Sequence, residues 1–212
     1  MHYLLTHLDA ARALTQVHLR LALLPVLLGL AIAVPLGVAV HRAPLARGLT
    51  TATASIVFTI PSLALFVALP VILGTRLLDE ANVIVALTSY TAALLVRAVL
   101  EALDSVPAQV SQAATALGYS PLTRIMKVEL PLSIPNLIAG LRVVVVTNIA
   151  MVSVGSVIGI GGLGAWFTEG YDTDKSDQIV AGILVLSAIA VVIDGLIVLA
   201  GRVATPWTRA MR

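Results

Sequence analysis

Gln112 to Pro135 reads QAATALGYSPLTRIMKVELPLSIP, a polar segment held between two blocks of strongly apolar sequence. Its opening run, Gln112-Ala113-Ala114-Thr115-Ala116-Leu117, favours helix and stops at Gly118, a residue able to take the left-handed cap conformation. Ser120 before Pro121 reads as an N-cap with proline at the first helical position. A second short helix is therefore expected from about Pro121 to Val128, ended by Pro131 and Pro135. Two short helices meeting at a glycine make a knob that can enter a groove on another protein.

The surroundings of the knob decide the class. Of 212 residues, 59% are hydrophobic and 11% charged, and the mean hydropathy is +1.03. That is too apolar for a soluble domain, so the chain is read as a membrane protein. A formal net charge of +2 is too small to point to nucleic acid. Zero cysteines exclude disulfides, thiolate metal sites and cysteine nucleophiles.

Outward from the knob, five apolar spans are expected at about 21–40, 49–73, 83–100, 137–158 and 179–200, each long enough at about 1.5 Å per residue to cross roughly 30 Å of hydrocarbon. The reading is an all-α membrane protein, a five-span helical bundle with its polar knob in a connecting loop at 105–135. Residues 1–18 form an amphipathic interfacial segment, 19–205 one transmembrane domain and 206–212 a tail. The four histidines fit no metal spacing, and His2, His7 and His18 are expected to be solvated or interfacial. Pro61 and Pro70 interrupt the second span, with Thr59 and Ser62 available to satisfy freed backbone groups. Gly159, Gly161, Gly162 and Gly164 break the fourth span, either as a gate or as a place of tight helix packing. Neither Lys127 nor Lys175 follows a glycine, so this is not a phosphate loop.

Counting Lys and Arg places the 41–48 loop, the knob and the tail in the cytoplasm, with the acidic loops at 74–82 and 165–178 outside. Five spans then require an external N-terminus, a placement that Arg12 and Arg20 oppose mildly. Polar residues inside the spans are candidates for a path: Pro61, Ser62, Tyr90, Asn148, Ser153 and Ser156, with Thr147. The competing role for each is a hydrogen bond between helices. Arg142 and Asp194 fall within spans and are expected to pair as a structural clamp, either with each other or through Arg202.

Two alanines, Ala113 and Ala114, then Gly118, Val128 and Leu130-Pro131 resemble, at the same intervals, the EAA loop of permeases from binding-protein-dependent ATP-binding-cassette importers. Gln112 replaces the motif's glutamate and Val128 its isoleucine. Thr59-Ile60-Pro61-Ser62-Leu63-Ala64-Leu65 and Gly159 to Ala165 resemble segments of the prokaryotic permeases that import glycine betaine, choline, carnitine and related osmoprotectants. The resemblance implies the fold of type I importer permeases, in a prokaryotic plasma membrane. It implies coupling through Gln112, Ala113, Ala114, Gly118, Val128, Leu130 and Pro131 to cytoplasmic ATP-binding subunits, which would hold ATP and Mg. It further implies a second permease copy or close paralogue and an extracytoplasmic substrate-binding protein. No cofactor is expected on this chain, and no enzyme working alone, because no nucleophile, base and oxyanion constellation is visible. The alternatives are a permease for methionine or another small solute, a proton-coupled transporter using Asp194, and a passive channel or structural membrane subunit.

Overall fold

Helices follow the apolar runs in the computed structural model, which describes residues 2–209. In chain order they are α1 His2–Thr6, α2 Leu8–Val40, α3 Pro44–Thr59, α4 Ser62–Leu73, α5 Glu80–Asp104, α6 Ala108–Ala116, α7 Pro121–Arg124, α8 Leu130–Val154, α9 Ala165–Asp172 and α10 Ser176–Ala204. Four segments, Leu8–Val40, Glu80–Asp104, Pro121–Ile158 and Ser176–Ala204, are long and apolar enough to cross a membrane. The pair α3 and α4, bent by 99°, is long and apolar enough only when taken together, which makes the count four or five.

Helices α2 and α5 form the centre of the bundle, α5 the more enclosed of the two. Leu21, Ala22 and Val26 of α2 share a buried cluster with Val83, Ala86, Leu87 and Tyr90 of α5, Val145, Ile149 and Val152 of α8, and Phe66 and Leu69 of α4. The crossing of α2 and α5 needs a missing side chain. A Cβ on Gly29 would stand 2.3 Å from the Thr91 methyl group, so the backbones approach through small residues, as helices in membranes commonly do.

Charged residues mark the two ends of this bundle. Arg20 pairs with Glu80 at the start of α5, whereas Arg47 and His41 both reach Asp104 at its end, each at 3.0 Å. From Arg20 to Val40 the helix rises about 30 Å, and from Glu80 to Asp104 about 36 Å, at ~1.5 Å per residue. Both lengths match a bilayer core of roughly 30 Å. The pairing with Glu80 also answers the charge on Arg20 at the end opposite the knob.

Several expectations are corrected. Residues 8–18 are not a separate interfacial segment but the first turns of α2, and Ala11 is buried with Trp166 and Ala181. His18 is neither solvated nor interfacial: it is fully buried, with its Nε2 2.8 Å from the carbonyl oxygen of Ile149. Pro70 sits inside α4 without ending it, and the break falls wholly at Ile60-Pro61. There the free Ile60 carbonyl accepts from the Tyr90 hydroxyl at 2.6 Å, while Thr59 turns back to the Ile56 carbonyl. Pro131 and Pro135 do not stop the helix that begins at Pro121. A π-turn over Ile125–Glu129 moves the hydrogen bonding to Leu130 N–H→Ile125 O, and α8 continues with Pro131 in its first turn, where no N–H is needed. The loop expected at 165–178 is largely helical, as α9 and the start of α10. In the tail, Pro206–Arg209 forms a 3₁₀ turn, and residues 210–212, including Arg212, lie outside the described residues.

Candidate coupling site and path

The knob is built by two local stop signals. Gly118 has φ +86°, Tyr119 N–H donates to the Ala114 carbonyl at 3.1 Å and Gly118 N–H to that of Thr115 at 3.0 Å. This is the paired bonding of a Schellman cap, which demands a left-handed residue at the position of Gly118. Ser120 then caps α7, its hydroxyl accepting from Thr123 N–H at 3.3 Å, with Pro121 in the first turn. The chain therefore turns sharply between two capped helices, and the turn projects away from the bundle.

What the tip displays is apolar. Leu117 is 79% exposed, Leu122 68% and Met126 51%. Of the seven residues expected to couple, Gln112, Ala113 and Gly118 are exposed, Val128, Leu130 and Pro131 are half-buried, and Ala114 is buried. Nothing lies within 4 Å of the position a Cβ would take on Gly118. Leu117, Leu122 and Met126 went unmarked by the spacing pattern. Their signal was present all the same, as large apolar residues in a segment too polar to span.

Behind the tip lies a charge cluster that the sequence reading did not anticipate. Glu129, 1% exposed, accepts from Arg42 at 2.5 Å and from Ser111 at 2.8 Å, and Arg124 Nε stands 3.1 Å from the same oxygen. Arg124 also donates to Thr115 at 2.6 Å. One carboxylate thus joins α6, the π-turn and the end of α2 around a cavity of about 320 Å³ that Gln112 and Asp104 also line.

The candidate path residues separate into two groups. Tyr90 and Asn148 are buried and act between helices: Tyr90 on Ile60, and the Asn148 amide donating to Thr91 Oγ1 at 2.8 Å and to the Ala22 carbonyl at 3.3 Å. Pro61 is exposed and Ser62 half-buried near the bend. Ser153 and Ser156 line a recess of about 910 Å³ with Gly159, Phe167, Thr168 and Tyr171, at the end opposite the knob. The glycines beside that recess are packed hard. Gly162 has φ +51° and a Cβ there would meet the Cβ of His18 at 2.7 Å, while one on Gly164 would meet the Ser153 carbonyl oxygen at 2.7 Å. Arg142 and Asp194 form a two-point pair, Nε to Oδ1 at 2.7 Å and Nη2 to Oδ2 at 2.8 Å.

The family described as binding-protein-dependent transport system inner membrane component matches residues 29–204. The osmoprotectant import permease protein OsmW of Salmonella typhimurium is 34% identical, covering 93% of each chain. The glycine betaine/carnitine/choline transport system permease protein OpuCB of Bacillus subtilis is 31% identical over 91% of this chain and 87% of its own. Among solved structures, an inward-facing MetNI methionine ABC transporter chain superposes with a TM-score of 0.72 at 27% identity, covering 91% of this chain and 93% of that one.

Proposed function

Because this chain belongs to the binding-protein-dependent transport system inner membrane component family, and is thus a multi-pass membrane transport subunit rather than an enzyme, we propose that it is the permease of an ATP-driven importer of osmoprotectants such as glycine betaine, carnitine or choline. The substrate class rests on near full-length similarity to permeases that carry those names. Methionine is the lesser reading, since the methionine transporter is the more distant in identity.

A separate cytoplasmic ATPase subunit binds ATP and Mg and supplies the energy. The observation that carries this coupling is the exposed apolar tip: Leu117, Leu122 and Met126 stand in water on a doubly capped turn, which costs solubility unless a partner covers them. The tip shares its end of the bundle with Arg42, Arg47, Arg124 and Lys127, the end that the charge rule assigns to the cytoplasm. Gln112, Ala113, Ala114, Gly118, Val128, Leu130 and Pro131 shape the docking knob, and its movement as the ATPase dimer closes rocks two permease copies, or this chain and a close paralogue, about a path between them. An extracytoplasmic binding protein selects the solute and delivers it at the opposite end, near Ser153, Ser156 and the turn at Gly159, Gly161, Gly162 and Gly164.

The test is the Gly118→Glu variant in cells that express the whole importer. Membrane levels should stay within about two-fold of the parent while uptake of labelled glycine betaine or choline disappears and the ATPase subunit no longer co-purifies. Full uptake by that variant would remove the knob from the mechanism.

A further inference from the structure

The structure carries its own depth scale, and the Arg142–Asp194 pair falls well inside it. Gly140 of α8 touches Ala98 of α5, where an added Cβ would come within 2.6 Å of the Ala98 methyl. Arg142, two residues further along the antiparallel α8, is therefore level with about Val96, eight residues or about 12 Å inward from the Asp104 end. The α10 side agrees: Gly201 packs on Ile138, and Asp194 lies seven residues, about 10 Å, further in. Charges at that depth belong in protein or water, not hydrocarbon.

Yet the pair is not enclosed by its own chain. The side chains are 42% and 28% exposed, and they open into a groove of about 510 Å³ lined by Ala139, Arg142, Val143, Val146, Thr147 and Asp194. Arg142 cannot escape by stretching to the headgroups, because both of its contacts hold it on Asp194. In α10 the most apolar window has none of its residues buried within the chain.

We infer that this groove between α8 and α10 faces the water-filled translocation path rather than lipid, and that Arg142 and Asp194 present to a passing solute one cation and one anion side by side. The inference rests on the importer reading above and adds to it the wall of the path. A zwitterion with a carboxylate and a quaternary ammonium is the chemical match, the carboxylate toward the guanidinium and the ammonium toward the carboxylate. Exposure of both groups to water lets the pair act as a weak, exchanging site, as a conducting path requires.

The chain has no cysteine, so an introduced cysteine is its one thiol, and labelling is read on this chain after purification. In native membranes containing the whole transporter, Val143→Cys and Val146→Cys should react with a charged, membrane-impermeant methanethiosulfonate at least about ten-fold faster than Leu196→Cys. Leu196 is two residues from Asp194, about 200° around the helix. Equal and slow reaction at all three, with rapid labelling by a lipid-soluble maleimide, would overturn the assignment. Labelling does not depend on the ATPase, so a failure of the coupling reading leaves this result interpretable. A second arm uses R142Q/D194N, which removes both charges and leaves none unpaired. Uptake of glycine betaine should fall at least about five-fold while ATP hydrolysis by the assembled complex stays within two-fold. Unchanged uptake in that variant would also defeat the inference.

Discussion

The two ends of the bundle differ in the contacts that dominate them. At the knob end, beyond the small-residue packing at Gly37 and Gly140, charged side chains tie separate elements together: Glu129 with Arg42, Arg124 and Ser111, and Asp104 with Arg47 and His41. All of these side chains except Arg47 line one cavity of about 320 Å³. At the other end, backbone presses on backbone. Gly161, Gly162 and Gly164 lie so close to Ser156, His18 and Ser153 that no Cβ fits between them, and buried His18 reaches across to the carbonyl of Ile149. Side-chain pairs in a partly wet setting tolerate displacement and re-forming, whereas contact without side chains has one arrangement or none. The difference suits the coupling proposed for the knob, with the glycine end keeping the bundle in register.

The comparison breaks most easily at its tight end. Gly162→Val should have the largest effect, on the order of 4 kcal/mol or more, because it combines a positive φ with a clash against the backbone of His18. Little folded protein should accumulate in membranes, as seen by detergent-solubilised size-exclusion profiles. Next comes Glu129→Ala at the knob end. Removing this buried carboxylate strips Arg42 and Arg124 of a shared partner, and about 3 kcal/mol should be lost, the low end for a buried pair because Arg42 is half exposed, read as a lower thermal unfolding temperature in detergent. The milder Arg42→Ala should cost less, since that side chain is already 46% exposed. Gly118→Ala ranks third. With open space around it, only the left-handed backbone is penalised, about 1 kcal/mol. Smallest in stability is Leu117→Ser with Leu122→Ser, which should lie within about 0.5 kcal/mol of the parent and yet reduce recovery of the ATPase in a pull-down. A Gly162→Val protein as stable as the parent, or a Glu129→Ala protein that loses more than Gly162→Val, would reverse the contrast between the ends.

Much of this was legible in the residues. The apolar runs located every long helix, because twenty uncharged residues have few other fates, and Gly118 with Ser120-Pro121 announced the turn through local chemistry alone. The Arg142–Asp194 pairing was one of two partnerships that the cost of charge in hydrocarbon suggested, the other running through Arg202. What escaped depends on partners far along the chain. Buried His18 looks like any residue on a polar helix start until α8 and the glycine turn close over it, 131 positions away at Ile149. Nothing beside Glu129 in the sequence marks it as buried, and only the fold brings Arg42, 87 positions distant, onto it. Pro131 and Pro135 misled for a different reason. A proline ends a helix when the hydrogen bonding cannot adjust, and here the widened turn ahead of Pro131 absorbs the mismatch.

That widened turn has a consequence for orientation. A π-turn is equivalent to one extra residue wound into a helix, and each residue carries about 100° of rotation. The phase of Leu122 and Met126 relative to everything beyond Leu130 is therefore set by a single surplus position. Winding the same residues as an ordinary α-helix would swing the apolar tip roughly a quarter turn off its bearing, whereas deleting one residue between Ile125 and Glu129 would let the turn close with the tip still in place.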